Sequence, residues 1–225
     1  MSRLAEAVTR ITMTLTVTSS RLFKRFGLIS VVCIISACAG NTALQRQQYD
    51  FGLSGLSDVQ SNPPDKKSPA QRVQIILADI QVVPPLDSNA MWYRLQYENV
   101  QQLKTYAQAR WSMPPAQLFA QRLKIKSLSG GVRLISSNDS ISGIPVLHLE
   151  IDEFSQIFTS ISDNHAQINV RATLSKGNMI ISQRRFATAI PGKTADAAGG
   201  AYAMKEASDL LINDLEQWLF QLTIK

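Results

Sequence analysis

The feature that most constrains this chain is its first forty residues. Arg21, Lys24 and Arg25 precede an apolar run from Phe26 to Ala37, and Cys38 follows at once. Cations, a short apolar segment, small residues and then a cysteine are the order of a secretory signal, not of a folded core element. The run holds about 12 residues, roughly 18 Å as a helix. A bilayer needs about 30 Å of apolar length. The segment is therefore expected to deliver the chain to a membrane and be removed, rather than to stay as a span.

Ile35, Ser36, Ala37 and Cys38 resemble, position by position, the lipobox of bacterial lipoproteins. There the cysteine sulfur takes a diacylglyceryl group and becomes the first residue of the mature chain. Several acyl chains hold a protein far more firmly than one. Twenty residues precede Arg21, a long lead, and Met13 offers a second start. Ala39 follows the cysteine where an aspartate resembles an inner-membrane retention signal, so the pattern implies export to the outer membrane. Three parts are expected: a signal peptide over residues 1–37, a lipidated N-terminus and tether over 38–48, and a single domain over 49–225.

The net charge of +6 misleads. The leader carries Arg3, Arg10, Arg21, Lys24 and Arg25 against Glu6, so the mature chain is only about +2. Clustered phosphate binding needs more, and no nucleic-acid partner is expected. Cys33 departs with the leader and Cys38 is acylated, which leaves the domain without a thiol or a disulfide.

Along the domain, Tyr49–Leu53 reads as a first strand, and Ser54–Ala70, rich in Ser, Pro, Asp and Lys, as an exposed loop. Gln71–Val83 is apolar on both faces and reads as one long central strand ended by Pro84 and Pro85. Ala90–Tyr97 is a second, aromatic strand, with Gln102–Tyr106 as a short partner. Ser112 caps a helix from about 114 to 128, with Leu118, Phe119 and Leu123 buried and Gln121, Arg122, Lys124 and Lys126 wet. After Val132–Ile135 come three antiparallel strands: Val146–Phe158, Ala166–Leu174 and Met179–Ile190. Lys176, Gly177 and Asn178 make a hairpin turn, and a bulge is expected at Gln183–Arg185. A final helix, Asp196–Leu222, buries Met204, Ala207, Leu211, Leu215 and Trp218. Gly199 and Gly200 in its first turns imply either a later start or close backbone packing. The expected fold is α+β, a mostly antiparallel sheet with two main helices on one face.

Several segments in this order resemble the ABC-type transport auxiliary lipoprotein family: Tyr49–Phe51, Met91–Tyr97, Tyr106–Leu118, Leu149–Phe154, Gln183–Phe186 and Thr194–Gly200. With the lipobox, the likeness spans roughly residues 38–222. It implies a non-catalytic partner of importer-like ABC systems that carry MCE-domain proteins and traffic lipid across the cell envelope; a direct periplasmic lipid-binding protein and an envelope structural or assembly lipoprotein are the alternative readings. The implied partners are the MCE-domain protein, the permease and the ATPase, the membrane through acyl chains, and phospholipid. The implied place is the periplasmic face of the outer membrane.

No catalytic constellation stands out. His148 and His165 have no cysteine or carboxylate at metal-ligand spacing. Glu150, Asp152 and Glu153 are too few for a calcium cage. Gly130 and Gly131 lack the lysine of a phosphate loop, and no serine elbow surrounds Ser129 or Ser142. No cofactor is expected. Trp92, Arg94, Arg110 and Trp111 remain, open to two readings: aromatic packing under the sheet, or contacts to a protein partner.

Overall fold

The computed structural model describes residues 46–52, 73–127, 132–136 and 143–223. Cys38, the leader, the loop 54–70, Gly130 and Gly131, Ser129 and Ser142 lie outside the described residues. Arg46 to the C-terminus forms one compact unit.

Alternation decides the centre of the fold. β7 (Val146–Phe158) and β8 (Asn164–Lys176) are 13-residue antiparallel neighbours. On β8, Ala166, Ile168, Val170, Ala172 and Leu174 are all buried, and the residues between them are half-exposed. One face is core and the other is wet, as the period of two dictates. A two-residue turn, with Gly177 at φ +57°, leads into β9 (Met179–Pro191), which pairs with β8 alone.

The opposite edge of β7 overturns the expectation of a mostly antiparallel sheet. β2 (Val73–Leu77), β3 (Gln81–Val82) and β4 (Ala90–Leu95) follow one another along that edge, and all run parallel to β7. β6 (Val132–Ser136) adds parallel to β2. β5 (Leu103–Trp111) adds antiparallel to β4, and β1 (Gln47–Tyr49) parallel to β5. The sheet is mixed because its halves are joined by crossovers, not hairpins, and a crossover sets strands parallel.

The long strand expected at Gln71–Val83 is two strands. Leu77 lies opposite Leu147 and Gln81 opposite Glu150, so β7 has one residue fewer to offer over this stretch. The ladder breaks at Ala78–Ile80 to absorb the surplus. A similar surplus at Asp152 shifts the β7 phase. Leu147, Leu149 and Ile151 face the core before it; Phe154, Gln156 and Phe158 are buried after it. On β9 the extra residue is Ile181, opposite the Leu174–Ser175 step, not Gln183–Arg185. β5 is also longer than the short partner expected, and β1 takes in Gln47 and Gln48 from the proposed tether.

A single helical turn, α1 (Gln96–Asn99), replaces the end of the second strand. α2 (Pro115–Ser127) buries Leu118, Phe119 and Leu123. α3 (Ala197–Thr223) lies over β8 and β9 and touches α2 and β6. Its stripe of Met204, Ala207, Leu211, Leu215 and Trp218 is buried, and Trp218 meets Phe186 edge-on at 5.8 Å. Arg122 contradicts the expected wet face of α2. It is 5% exposed and turned toward α3.

Candidate functional site

The singled-out aromatics and arginines lie on the β4–β5 ribbon, and packing sorts them. Trp111 is 2% exposed. It stands edge-on to Phe51 at 6.0 Å and to Phe154 at 5.7 Å, so it is a core residue and has no surface to offer a partner. Trp92 is half-buried and donates its indole N–H to the Pro85 carbonyl at 2.8 Å. Arg94 pairs with Glu153 at 3.3 Å across to β7. Arg110 lies beside Gln48 in register; with that amide turned to face it, the Gln48 oxygen accepts from Arg110 at 2.6 and 3.1 Å.

Between these residues β5 leaves its ladder. Ala90 pairs with Arg110 but Trp92 with Thr105, so two steps on β4 face five on β5. The three surplus residues bow outward. The bow leaves an open groove of about 340 Å³ lined by Arg46, Asn89, Thr105, Tyr106, Ala109 and Arg110 among others. Bulges of this kind re-aim side chains and are common beside functional sites.

Behind the groove runs a chain of polar groups. The Tyr106 hydroxyl donates to Gln156 Oε1 at 2.8 Å, and Gln156 Nε2 donates to Asn164 Oδ1 at 2.6 Å. Asn164 Nδ2 donates to the Thr194 carbonyl at 3.1 Å, and the Thr194 hydroxyl donates to Asp196 Oδ1 at 2.7 Å. Asp196 caps α3 by accepting from the Gly199 N–H at 2.8 Å. That amide, helped by Thr194, holds the Asp196 carboxyl below its usual range. Burial, with Tyr93 adding to it, pushes the Tyr106 hydroxyl well above the ordinary tyrosine range.

Close approach explains the glycines here. A Cβ on Gly200 would overlap the Gln156 side-chain oxygen, and one on Gly192 would overlap Asn164 Oδ1. Of the two options the sequence left for Gly199 and Gly200, close packing is the one adopted.

A second polar cluster joins the long helices. Arg122 donates to both Asp209 oxygens, at 2.5 and 2.7 Å, and Lys205 and Lys126 also reach that carboxylate, at 3.0 and 3.7 Å. Burial raises the Asp209 pKa, but the hydrogen bonds from Arg122 and Lys205 outweigh it and the net shift is downward. Sequence reasoning missed this pair. One signal was available: Arg122 recurs four residues after Leu118 and three after Phe119, inside the buried stripe.

Neither His148, exposed on β7, nor half-buried His165 has a metal-ligand set around it. Among the described residues no group of three or more His, Cys, Asp or Glu side chains could hold a metal ion. Glu150 pairs with Arg171 at 2.9 Å and Asp152 with the same arginine at 3.5 Å, on the open sheet face.

The family description "ABC-type transport auxiliary lipoprotein component" matches residues 55–216, from before β2 to the last turns of α3. The chain belongs to this family. It is thus an auxiliary lipoprotein component of ABC-type transport, not an enzyme, and its partners are transporter components. Two solved structures share the fold. Protein XCC0632 from Xanthomonas campestris is 20% identical with a TM-score of 0.61, over 71% of this chain and 91% of that one. An uncharacterised protein is 11% identical with a TM-score of 0.60, over 78% and 99%. None of the curated proteins matches.

Proposed function

We propose that this auxiliary lipoprotein serves an MCE-type ABC system that moves lipid across the cell envelope, and that it works from the periplasmic face of the outer membrane. In this reading residues 1–37 are cut away, Cys38 carries the acyl chains, the chain from there to the start of β1 acts as tether, and the domain that begins with β1 at Gln47 docks on the MCE-domain protein or the permease. The protein contributes place and contact, not turnover. The observation that carries the reading is the family match over residues 55–216, which takes in β2 to β9 and most of both long helices. The contact candidates are Trp92, Arg94 and Arg110, with the β8–β9 hairpin tip, toward the opposite end of the sheet, as a further and separate surface. That tip presents Met179, Ile180 and Ile181 at 74%, 68% and 45% exposure, a cluster of exposed apolar side chains of the kind that can mark a contact surface.

Affinity purification of the mature chain from a mild detergent extract of its native cells tests the partnership. The expected result is co-recovery of an MCE-domain protein with its permease and ATPase. Recovery of the chain without any of them overturns the role. Density-gradient separation of the membranes tests the location, and Cys38→Ser is expected to leave the chain uncut and out of the outer-membrane fraction.

A further inference from the structure

The bowed segment of β5 opens a groove whose two charged lining residues, among the described residues, are both arginines. Arg46 and Arg110 stand on it with Asn89, Thr105 and the Tyr106 ring, over a floor of Ala90, Ala107 and Ala109. No described carboxylate lines it. The acid that influences Tyr106, Asp196, is engaged by Thr194 and the Gly199 amide. Among the described residues, the Arg110 guanidinium meets the neutral Gln48 amide, which fixes its orientation without cancelling its charge. Arg46 precedes Gln47 at the start of β1, where alternation places it on the same strand face as Gln48 and hence on the Arg110 side.

We infer that this groove binds the phosphate group of a phospholipid headgroup. A planar guanidinium offers paired N–H donors that match phosphate oxygens, and two of them with no carboxylate beside them among the described residues form an anion site. The volume, about 340 Å³, falls at the low end of ligand pockets. It suits a headgroup and leaves the acyl tails in the bilayer. The small alanine side chains let the headgroup approach the strand backbone, and Asn89 and Thr105 add neutral hydrogen-bonding groups at its rim. The lipid source follows from sequence: Arg46 lies eight residues beyond Cys38, within about 30 Å even when fully extended. The inference rests on the reading of Cys38 as the acylated residue that holds the domain at a bilayer.

The test uses the mature lipidated chain in non-ionic detergent, titrated with dihexanoyl phosphatidylglycerol, with dihexanoylglycerol and with inorganic phosphate. Binding is followed by calorimetry and by the arginine Nε–H resonances. Saturable binding of the phospholipid that shifts the Arg46 and Arg110 resonances, with none for the phosphate-free diacylglycerol, supports the site. Arg46→Gln and Arg110→Gln should each weaken it by about 10-fold or more, the loss of one charge-assisted contact. Arg46→Gln stands at the exposed start of β1, and its melting temperature should match the parent. Equal binding of the diacylglycerol, unchanged affinity in both variants, or inorganic phosphate competing as well as the lipid overturns the headgroup assignment. The Arg46→Gln variant, which lies outside the proposed docking contacts, is taken through the affinity purification. Transporter components that stay bound while headgroup binding is lost separate this site from the docking role. Headgroup binding by a chain that recovers no transporter component sustains the site while the proposed role falls.

Discussion

Removing the Asp209 carboxylate should harm this domain more than removing its arginine partner. Arg122 is 5% exposed and Asp209 16%. Asp209→Ala takes both carboxylate contacts from a buried guanidinium at the α2–α3 seam, and breaking a buried ion pair by removing one partner costs about 3–5 kcal/mol. For a domain of this size each kcal/mol moves the melting temperature by about 2–4 °C, so the drop should be roughly 6–20 °C. Arg122→Met is milder, about 1–2 kcal/mol, because Asp209 keeps Lys205 at 3.0 Å and Lys126 at 3.7 Å. The double variant Arg122→Met, Asp209→Leu should recover most of the loss, since apolar side chains of similar volume often replace buried ion pairs without penalty. Urea denaturation of the parent, Arg122→Met, Asp209→Leu and the double variant closes the cycle. The pH dependence has a definite sign. The Asp209 pKa is lower in the folded state, so its contribution is present above the unfolded carboxylate value of about 4 and fades as pH falls through the folded value. Asp209→Asn should flatten that acid limb. An Asp209→Ala cost below about 1 kcal/mol, or a double variant no better than Asp209→Ala, would refute the reasoning.

Three further perturbations probe the same frame. Gly200→Ala should gain about 1 kcal/mol of helix propensity yet lose about 1–3 kcal/mol net in chemical denaturation, because its methyl displaces the Gln156 carboxamide; a stabilised variant would show that the approach is loose. Tyr106→Phe removes the 2.8 Å bond to buried Gln156 and should cost about 1–3 kcal/mol, read as a lower urea midpoint with an unchanged slope. Glu216 runs opposite to Asp209: burial raises its pKa, Lys126 offsets only part, and one carboxylate oxygen is buried without a hydrogen bond. Its contribution is present below the unfolded carboxylate value and is lost as pH rises through the folded one. Glu216→Gln should therefore raise stability at neutral pH by about 1 kcal/mol, and melts at pH 5 and pH 8 should converge; an unchanged gap would count against it.

The extent to which the fold is legible follows from the range of the interactions that set it. β8 is plain in Ala166, Ile168, Val170, Ala172 and Leu174 because alternation is a local pattern, and the α3 stripe is plain for the same reason. The turn at Gly177 needs only the residues on either side. The direction of β2, β3 and β4 does not follow from their own residues: each would serve in either sense, and its partner on β7 lies more than fifty residues on. Surplus residues are equally hidden. Nothing near Asp152 or Ile181 marks it as extra until the opposing strand is counted.

The candidate site inherits that difficulty. Arg110 drew notice as a cation next to a tryptophan, but what sets it apart is a mismatch of three residues between β4 and β5, visible only once the register is known. Trp111, its neighbour, turns inward to Phe51 and Phe154. A one-residue step along a strand reverses the face, so two adjacent residues that look equally suited to a partner serve opposite purposes. Arg122 makes the converse point. A cation in a buried stripe reads as surface until Asp209, 87 residues later, arrives to hold it. In this chain the residues that carry charge into the structure are those whose roles depend on distant partners, and the groove beside Arg46 and Arg110 is where described partners of opposite sign are missing. An anion supplied from outside is the partner such a place is built to receive.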